Sequence, residues 1–394
     1  MISPCYKFAL RGDRHNTNCC KWADDTRRNL LPMWVADMDF RTAPEIIEAL
    51  HERVDHGIFG YTHVPDEYYE AIVNWFRRRH NWEINPESII YTSGVVPALS
   101  AIVNALTRPG DKVIVQTPVY NCFFSSIRNN GCEVLENPLI YHPDERTYTI
   151  DFDQLEEAAS DPRATVMIIC NPANPAGRVW TPDELRRMGE ICLSHGVTPV
   201  SDEIHCELVY KPHVYTPFAS LSEEFAKASV SCISPTKAFN IAGLQIANIV
   251  ADDPEKRALI DRAININEVC DVNPFGVVAL ITAYNECELW LNALLDYLRD
   301  NYQYMCDFCR EFLPEYPLVR LEGTYLVWMD TRASGLDTAT LDRRLLDEAS
   351  LRLNPGTMYG SEGEGFMRWN IACPRVVLTE GLTRFAALAR TLRH

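Results

Sequence analysis

The centre of the chain alternates short runs of β-branched and aliphatic residues with stretches whose apolar positions recur at helical spacing. The runs at 88–92, 112–116, 165–170, 197–201, 229–233 and 246–251 read as strands, because each is a compact apolar block bounded by turn or polar residues. A helix is expected over 97–106, followed by a turn at Pro109-Gly110-Asp111. Another is expected over 182–195, with Thr181 as its N-cap. Strands alternating with helices imply βαβ units. The expected class is α/β, with a mostly parallel sheet covered on both faces.

The last third follows a different pattern. The stretch 289–313 reads as one long helix or two joined ones. A strand is expected at 324–330, a helix at 338–349, a strand at 366–372 and a final helix from near Thr379. Helices with few strands suggest a separate α+β domain, with the boundary near residue 280. The N-terminal arm, up to about Arg41, is expected to pack with it. The division is therefore 42–280 for a large α/β domain, and 1–41 with 281–394 for a smaller one. No internal repeat or low-complexity tract interrupts the chain.

Composition narrows the classes. With 394 residues, 47% hydrophobic and 23% charged, the chain has room for two or three domains of ordinary globular make-up, which excludes disorder, collagen and coiled coil. A net charge of −17 repels phosphate backbones, so no nucleic-acid partner is expected, and an anionic ligand needs local donors. Residues 1–18 hold no apolar stretch resembling a signal peptide, and no later run is long enough to span a bilayer. A cytoplasmic protein without membrane contact is expected. The 14 cysteines then read as free thiols. Cys19-Cys20 and the Cys306/Cys309 pair lack a second pair at zinc spacing, so they read as packing or incidental residues and no metal is expected.

Ligands of open α/β sheets sit beyond the carboxyl ends of the strands. In chain order those ends carry Ser93-Gly94-Val95-Val96, then Thr117-Pro118-Val119-Tyr120, Asn171 to Arg178, Asp202-Glu203-Ile204-His205, and Ser234-Pro235-Thr236-Lys237. Singly, each has a plain structural reading. A lysine is usually solvated, Asp202 could cap a helix, Asn171-Pro172 and Asn174-Pro175 could be turns, and Arg368 could lie on a surface strand. Together they set a glycine turn, an aromatic, an amide, a carboxylate and a lysine on one rim. That set suits pyridoxal 5′-phosphate (PLP). A lysine can form a Schiff base with its aldehyde. An acid can keep its ring nitrogen protonated, an aromatic can stack on the ring, and a helix N-terminus can take its phosphate.

The stretches NPANPAGR (171–178), SDEIH (201–205), SPTKAFNIAGLQ (234–245) and FMRWNIACPR (366–375) resemble the class I/II aminotransferase superfamily of fold-type I PLP enzymes, over nearly the whole chain. The resemblance implies a mostly parallel seven-stranded sheet in the large domain. It makes Lys237 the Schiff-base lysine and Asp202 the partner of the pyridinium nitrogen. Asn174 becomes the amide on the phenolic oxygen, Tyr120 the stacking ring, and Gly94, Val95, Val96 and Ser234 the phosphate cradle. Arg368 would fork onto the substrate carboxylate, with Asn174, Ala36 and Tyr61 also at the substrate. Gly60-Tyr61-Thr62 resembles a segment whose tyrosine reaches the phosphate in the neighbouring subunit, which implies a homodimer.

The segment 31–40 (LPMWVADMDF), the stretch 323–330 (GTYLVWMD) and the ending 372–375 are similar to one branch, the cystathionine β-lyase/cysteine desulfhydrase group of C–S lyases (MalY/PatB type). Two departures from the wider superfamily fit that branch. Gln245 stands where many members carry a phosphate-binding arginine, and His205 stands where many carry a tyrosine near the phenolic oxygen. Trp34, Asp37 and Asp39 read as core, cap or structural residues, with a modest claim on the substrate pocket. The glycine-rich 360–365 (GSEGEG) has the wrong order for a dinucleotide fingerprint and reads as a loop. The expected activity is α,β-elimination from cystathionine or cysteine to pyruvate, ammonia and a thiol, with Lys237 as anchor and α-proton base. An aminotransferase is the alternative, and an added regulatory role through a bound transcription regulator is a second.

Overall fold

The computed structural model describes residues 6–10, 12–14, 17–23, 29–266 and 272–392. Its largest sheet has seven strands: β1 Ile89–Thr92, β2 Lys112–Val115, β3 Glu133–Glu136, β4 Ala164–Cys170, β5 Thr198–Asp202, β6 Val230–Ile233 and β7 Ala247–Val250. They lie in the order β1-β7-β6-β5-β4-β2-β3. Neighbours from β6 to β3 pair in parallel, and β7 runs antiparallel to both β1 and β6. The alternation of side chains onto two covered faces explains why the central strands are mostly apolar. Val113, Val115, Val166 and Ile168 pack with the helix Val95–Leu106 on one face. Ile114, Met167 and Ile169 pack with the helix Pro182–Ser194 on the other. That second helix opens with a capping box between Thr181 and Glu184, as the sequence predicts for its start.

Beyond the sheet, the helix Pro274–Glu286 contains position 280 and is followed by one 25-residue helix, Glu288–Phe312. A three-stranded antiparallel sheet follows, from β8 Leu326–Asp330, β9 Asn354–Pro355 and β10 Phe366–Asn370, with β10 in the middle. The arm joins this region: Leu31–Pro32 pairs in parallel with Leu351–Arg352.

The structure moves several predicted boundaries. The helix expected at 97 starts at Val95, since Pro97 fits the first turn, where its missing N–H costs nothing. The last helix starts at Arg375 rather than near Thr379, with Pro374 as its N-cap. The strand expected at 324 starts at Leu326, because Thr324 sits at φ 69, outside strand geometry. Edge strand β3 escaped the reading: EVLE, one exposed and three half-buried residues, gives no buried face to detect. The described cysteines are free thiols, and Cys306 and Cys309 sit on the long helix. The 360–365 stretch forms a short turn of 3-10 helix. No described helix is long and apolar enough to cross a membrane.

Candidate active site

The carboxyl ends of β4, β5 and β6 lie side by side, so the residues that follow them share one rim. Asp202 ends β5 and is buried, with one carboxylate oxygen accepting from Ile204 N at 3.1 Å. Burial pushes its pKa up to about 7. The Ile204 N–H opposes that rise, nearby Glu203 adds to it, and Lys237 opposes it. Lys237, after β6, is shifted the other way. Burial and then the Arg368 guanidinium bring its amine down to about 8, against the pull of Asp37 and Asp202. Its Nζ donates to Ala36 O at 2.6 Å.

Arg368 projects from β10 of the smaller sheet and is 3% exposed. Its Nη1 donates to Asn174 Oδ1 at 3.1 Å and its Nη2 to Trp34 O at 2.8 Å. The guanidinium carbon stands 4.9 Å from the centre of the Tyr359 ring. His205 is buried, and its pKa is held well below the ordinary value by burial and then by the cations Lys237 and Arg368. The ring meets Tyr325 edge-on at 6.1 Å.

Gly94 caps the helix Val95–Leu106, leaving the first N–H groups, those of Val95 and Val96 among them, without partners inside the helix. Tyr120, half-buried after β2, meets Phe123 edge-on at 5.9 Å. Ser234 Oγ donates to Ile246 O at 2.7 Å and accepts from Thr236 N at 3.1 Å, so its one proton is already used. Thr236 Oγ1 lies 2.7 Å from the Ser234 hydroxyl. Tyr61 does not join this cluster: it is 96% exposed, on the loop before the helix Asp66–His80. Gln245 is exposed, in a left-handed turn.

The 34–40 segment threads between the two sheets. Ala36 O accepts from Lys237 and also from Tyr325 Oη at 3.0 Å. Asn370 Nδ2 donates to Val35 O and to Asp37 O, at 2.5 and 2.6 Å. Asn354 Nδ2 donates to Trp34 O at 3.1 Å, and Asn240 Nδ2 to Met38 O and Phe40 O at 3.0 and 2.8 Å. Asp39 is a structural ion-pair residue, bound by Arg14 at 2.8 Å, Lys21 at 2.9 Å and Trp22 Nε1 at 3.0 Å. Asp37 pairs with Arg14 at 2.6 Å, and Trp34 is half-buried under Arg352. Tyr325, Asn240, Asn354 and Asn370 were missed as site residues. All but Asn354 stand inside motifs already quoted, yet an amide or hydroxyl that grips backbone leaves no pattern of its own.

The buried polar atoms at this rim without a hydrogen-bond partner among the described residues include His205 Nδ1 and Arg368 Nε. Such groups cost free energy unless a ligand meets them. A lysine near neutrality, a buried acid, an aromatic ring and a helix N-terminus are also a donor set that suits PLP.

A model of the family described as "Aminotransferase class I and II" matches residues 29–385. The chain belongs to this family. Among its relatives, cystathionine beta-lyase PatB of Bacillus subtilis (strain 168) is 46% identical, over 96% of this chain and 99% of the relative. Among solved structures, a PLP-bound protein of Clostridium difficile 630 described as an aminotransferase has a TM-score of 0.94 at 42% identity, covering 98% of this chain and 100% of the other. Cystalysin of Treponema denticola, containing pyridoxal 5′-phosphate, has a TM-score of 0.95 at 34% identity, over 98% and 100%. The fold-type I reading of the sequence is thus met at the level of family and of fold.

Proposed function

We propose that this chain is a PLP-dependent carbon–sulfur β-lyase that cleaves cystathionine or cysteine to pyruvate, ammonia and a thiol. The observation that carries the reading is the convergence of Lys237, Asp202, Asn174 and Arg368 from two sheets on one rim, in a chain 46% identical to a cystathionine β-lyase along nearly its full length.

Lys237 would hold the cofactor through its amine and Asp202 would face the ring nitrogen. Asn174 and His205 would stand at the phenolic oxygen, and Tyr120 on the ring face. Gly94, Val95, Val96 and Ser234 would line the phosphate. Since the Ser234 proton is already given to Ile246 O, the 2.7 Å contact between the two hydroxyls takes the Thr236 proton in turn, and the donors left for the phosphate are the helix N–H groups. PLP, when bound, supplies an electron-withdrawing ring that lets an amino acid lose its α-proton.

The remaining work falls to the chain's own residues. Arg368 presents a planar fork to the α-carboxylate, for which it exchanges the Trp34 carbonyl. Lys237, near neutrality, takes the α-proton as general base. Asn174 holds the Arg368 fork in plane. Walls of buried aromatic residues, Tyr325 and Tyr359, keep water from the charged groups. The C–S bond breaks with its electron pair leaving on sulfur, and hydrolysis of the three-carbon remainder yields pyruvate and ammonia.

An aminotransferase would share the first proton transfer, and the likeness to the Clostridium difficile protein favours keeping that reading. Incubation with cystathionine or cysteine and no 2-oxo acid separates the two. Catalytic release of pyruvate is expected. Turnover that requires an added 2-oxo acid sinks the lyase. The working unit we propose is a homodimer, with Tyr61 of one copy at the other copy's phosphate, and its compartment is the cytoplasm.

A further inference from the structure

The end of β5 and the segment that follows it carry four acidic or imidazole side chains in two sets. Asp202 and His205 belong to the rim. Glu203 and Glu207 point away from it and are buried, each inside a cage of three donors. Glu203 accepts from Ser201 Oγ at 2.8 Å, Tyr215 Oη at 2.6 Å and Phe218 N at 2.9 Å. Glu207 accepts from Trp75 Nε1 at 2.6 Å, Arg79 Nε at 2.9 Å and His80 Nε2 at 2.7 Å. All three N–H donors to Glu207 come from the last turns of one helix, Asp66–His80. The His80 ring meets Tyr215 edge-on at 4.9 Å, so the two cages touch.

The Glu207 cage is a fixed structure. Trp75 stacks on Tyr284 at 4.9 Å, and Arg79 lies over Trp75 while its other nitrogen binds Glu288 at 2.9 Å. Against the upward push of burial, His80 and Arg79 bring Glu207 down to about 2, so it is a carboxylate throughout the working range. His80, Cys206 and Glu207 also bring three potential metal donors within 4.8 Å of one another. Both Glu207 oxygens already accept N–H groups, and Arg79 sets a cation beside them, so the cluster reads as an ion-pair cage.

His205 is the opposite case. Its Nδ1 has no partner among the described residues, and its place depends on the backbone around it: Cys206 N binds Glu203 O at 3.0 Å, and Leu208 N binds His205 O at 2.8 Å. We propose that Glu207 and His80 are positioning residues for His205: the helix Asp66–His80 grips the Glu207 carboxylate and so holds the 202–208 segment with the imidazole aimed at the cofactor. The inference rests on the reading of His205 as a cofactor contact. Misplacement of such a group by an ångström can cost a hundredfold in rate, which makes a grip from behind consequential.

The test is a double-mutant cycle on holoenzyme, read as kcat and KM for pyruvate release from cystathionine, the visible absorbance band of bound PLP and the melting temperature. His80→Ala is expected to lower kcat about tenfold with KM nearly unchanged and to shift the PLP band, the size of effect that small misplacement gives. His80→Gln is expected to recover most of the loss, because its amide N–H can reach Glu207. In a His205→Ala background, His80→Ala is expected to add nothing. Where His80→Ala does not fold, Trp75→Phe removes the Nε1–H donor along with part of the ring stacked on Tyr284, and it serves the same cycle, in which the His205→Ala background subtracts the packing loss. Equal losses with and without His205, or an unchanged kcat in folded His80→Ala, overturn this inference alone. A wild-type protein that binds no PLP or releases no pyruvate overturns the functional reading, and this inference with it.

Discussion

Lys237 has to be neutral at the moment it captures a carbonyl, because an ammonium has no lone pair to offer. In water a lysine is charged until well above neutral pH. Here burial and Arg368 bring the amine down to about 8. The rate of PLP uptake by apoprotein should therefore rise about tenfold per pH unit below 8 and level off above it, since only the neutral fraction reacts. Stopped-flow absorbance across pH 6–9 measures this, and a flat profile refutes it. Lys237→Ala should lose the visible PLP band of the wild type and about a thousandfold or more in turnover, the scale of a missing base. If the band survives, Lys237 is not the anchor. Arg368 gives a different signature. Arg368→Lys keeps the charge but loses the fork and the Asn174 contact. Its kcat/KM should fall about ten- to a hundredfold, the worth of one hydrogen bond to a charged group.

At the scale of elements, the helix Pro182–Ser194 shows how much was legible. Thr181 and Glu184 exchange hydrogen bonds at 3.2 and 2.8 Å, and the sequence already marks Thr181 as the cap. Thr181→Ala should cost about 1 kcal/mol, a drop of roughly 1 °C in melting temperature for a chain of this size, with kcat unchanged. A thermal melt paired with an activity assay checks both. The strand ends were legible for a related reason: the buried parallel strands are mostly apolar, so the polar residues at or just beyond their carboxyl ends stand out. The 34–40 segment was not legible in the same way. Its value to the site lies in backbone carbonyls, and Ala36, Val35 and Trp34 are named by what grips them: Lys237 and Tyr325, Asn370, Asn354 and Arg368. A carbonyl is the same for every residue type, so no composition reveals it. The antiparallel course of β7 was likewise hidden, since both directions of a buried strand read alike. The same limit applies to the phosphate end, where the sequence points to the Ser234 hydroxyl and the geometry leaves the donation to the N–H groups that open the helix Val95–Leu106.

At the scale of the whole molecule, the exposure of Tyr61 is the feature that a single copy does not explain. It is 96% exposed, and Ile58 and Phe59 beside it are 67% and 57% exposed, an apolar stretch that a protein with net charge −17 would not leave in water without cause. The proposed cause is a second copy, whose cofactor phosphate would take the Tyr61 hydroxyl. That arrangement splits each working site between two chains, one giving Lys237 and the other Tyr61. Two disabled chains can then repair each other. Lys237→Ala lacks its own lysine and Tyr61→Ala lacks the tyrosine it lends, yet a mixed dimer of the two contains one site with both residues intact. Random mixing makes half the dimers mixed, each with one whole site in two. Co-refolded equal amounts should therefore show about a quarter of wild-type activity while each parent alone shows little. Activity no greater than the average of the two parents would place Tyr61 in its own chain's site or outside any site. Recovery near a quarter would in turn place Lys237 and Tyr61 on opposite sides of one interface, in the same functional unit.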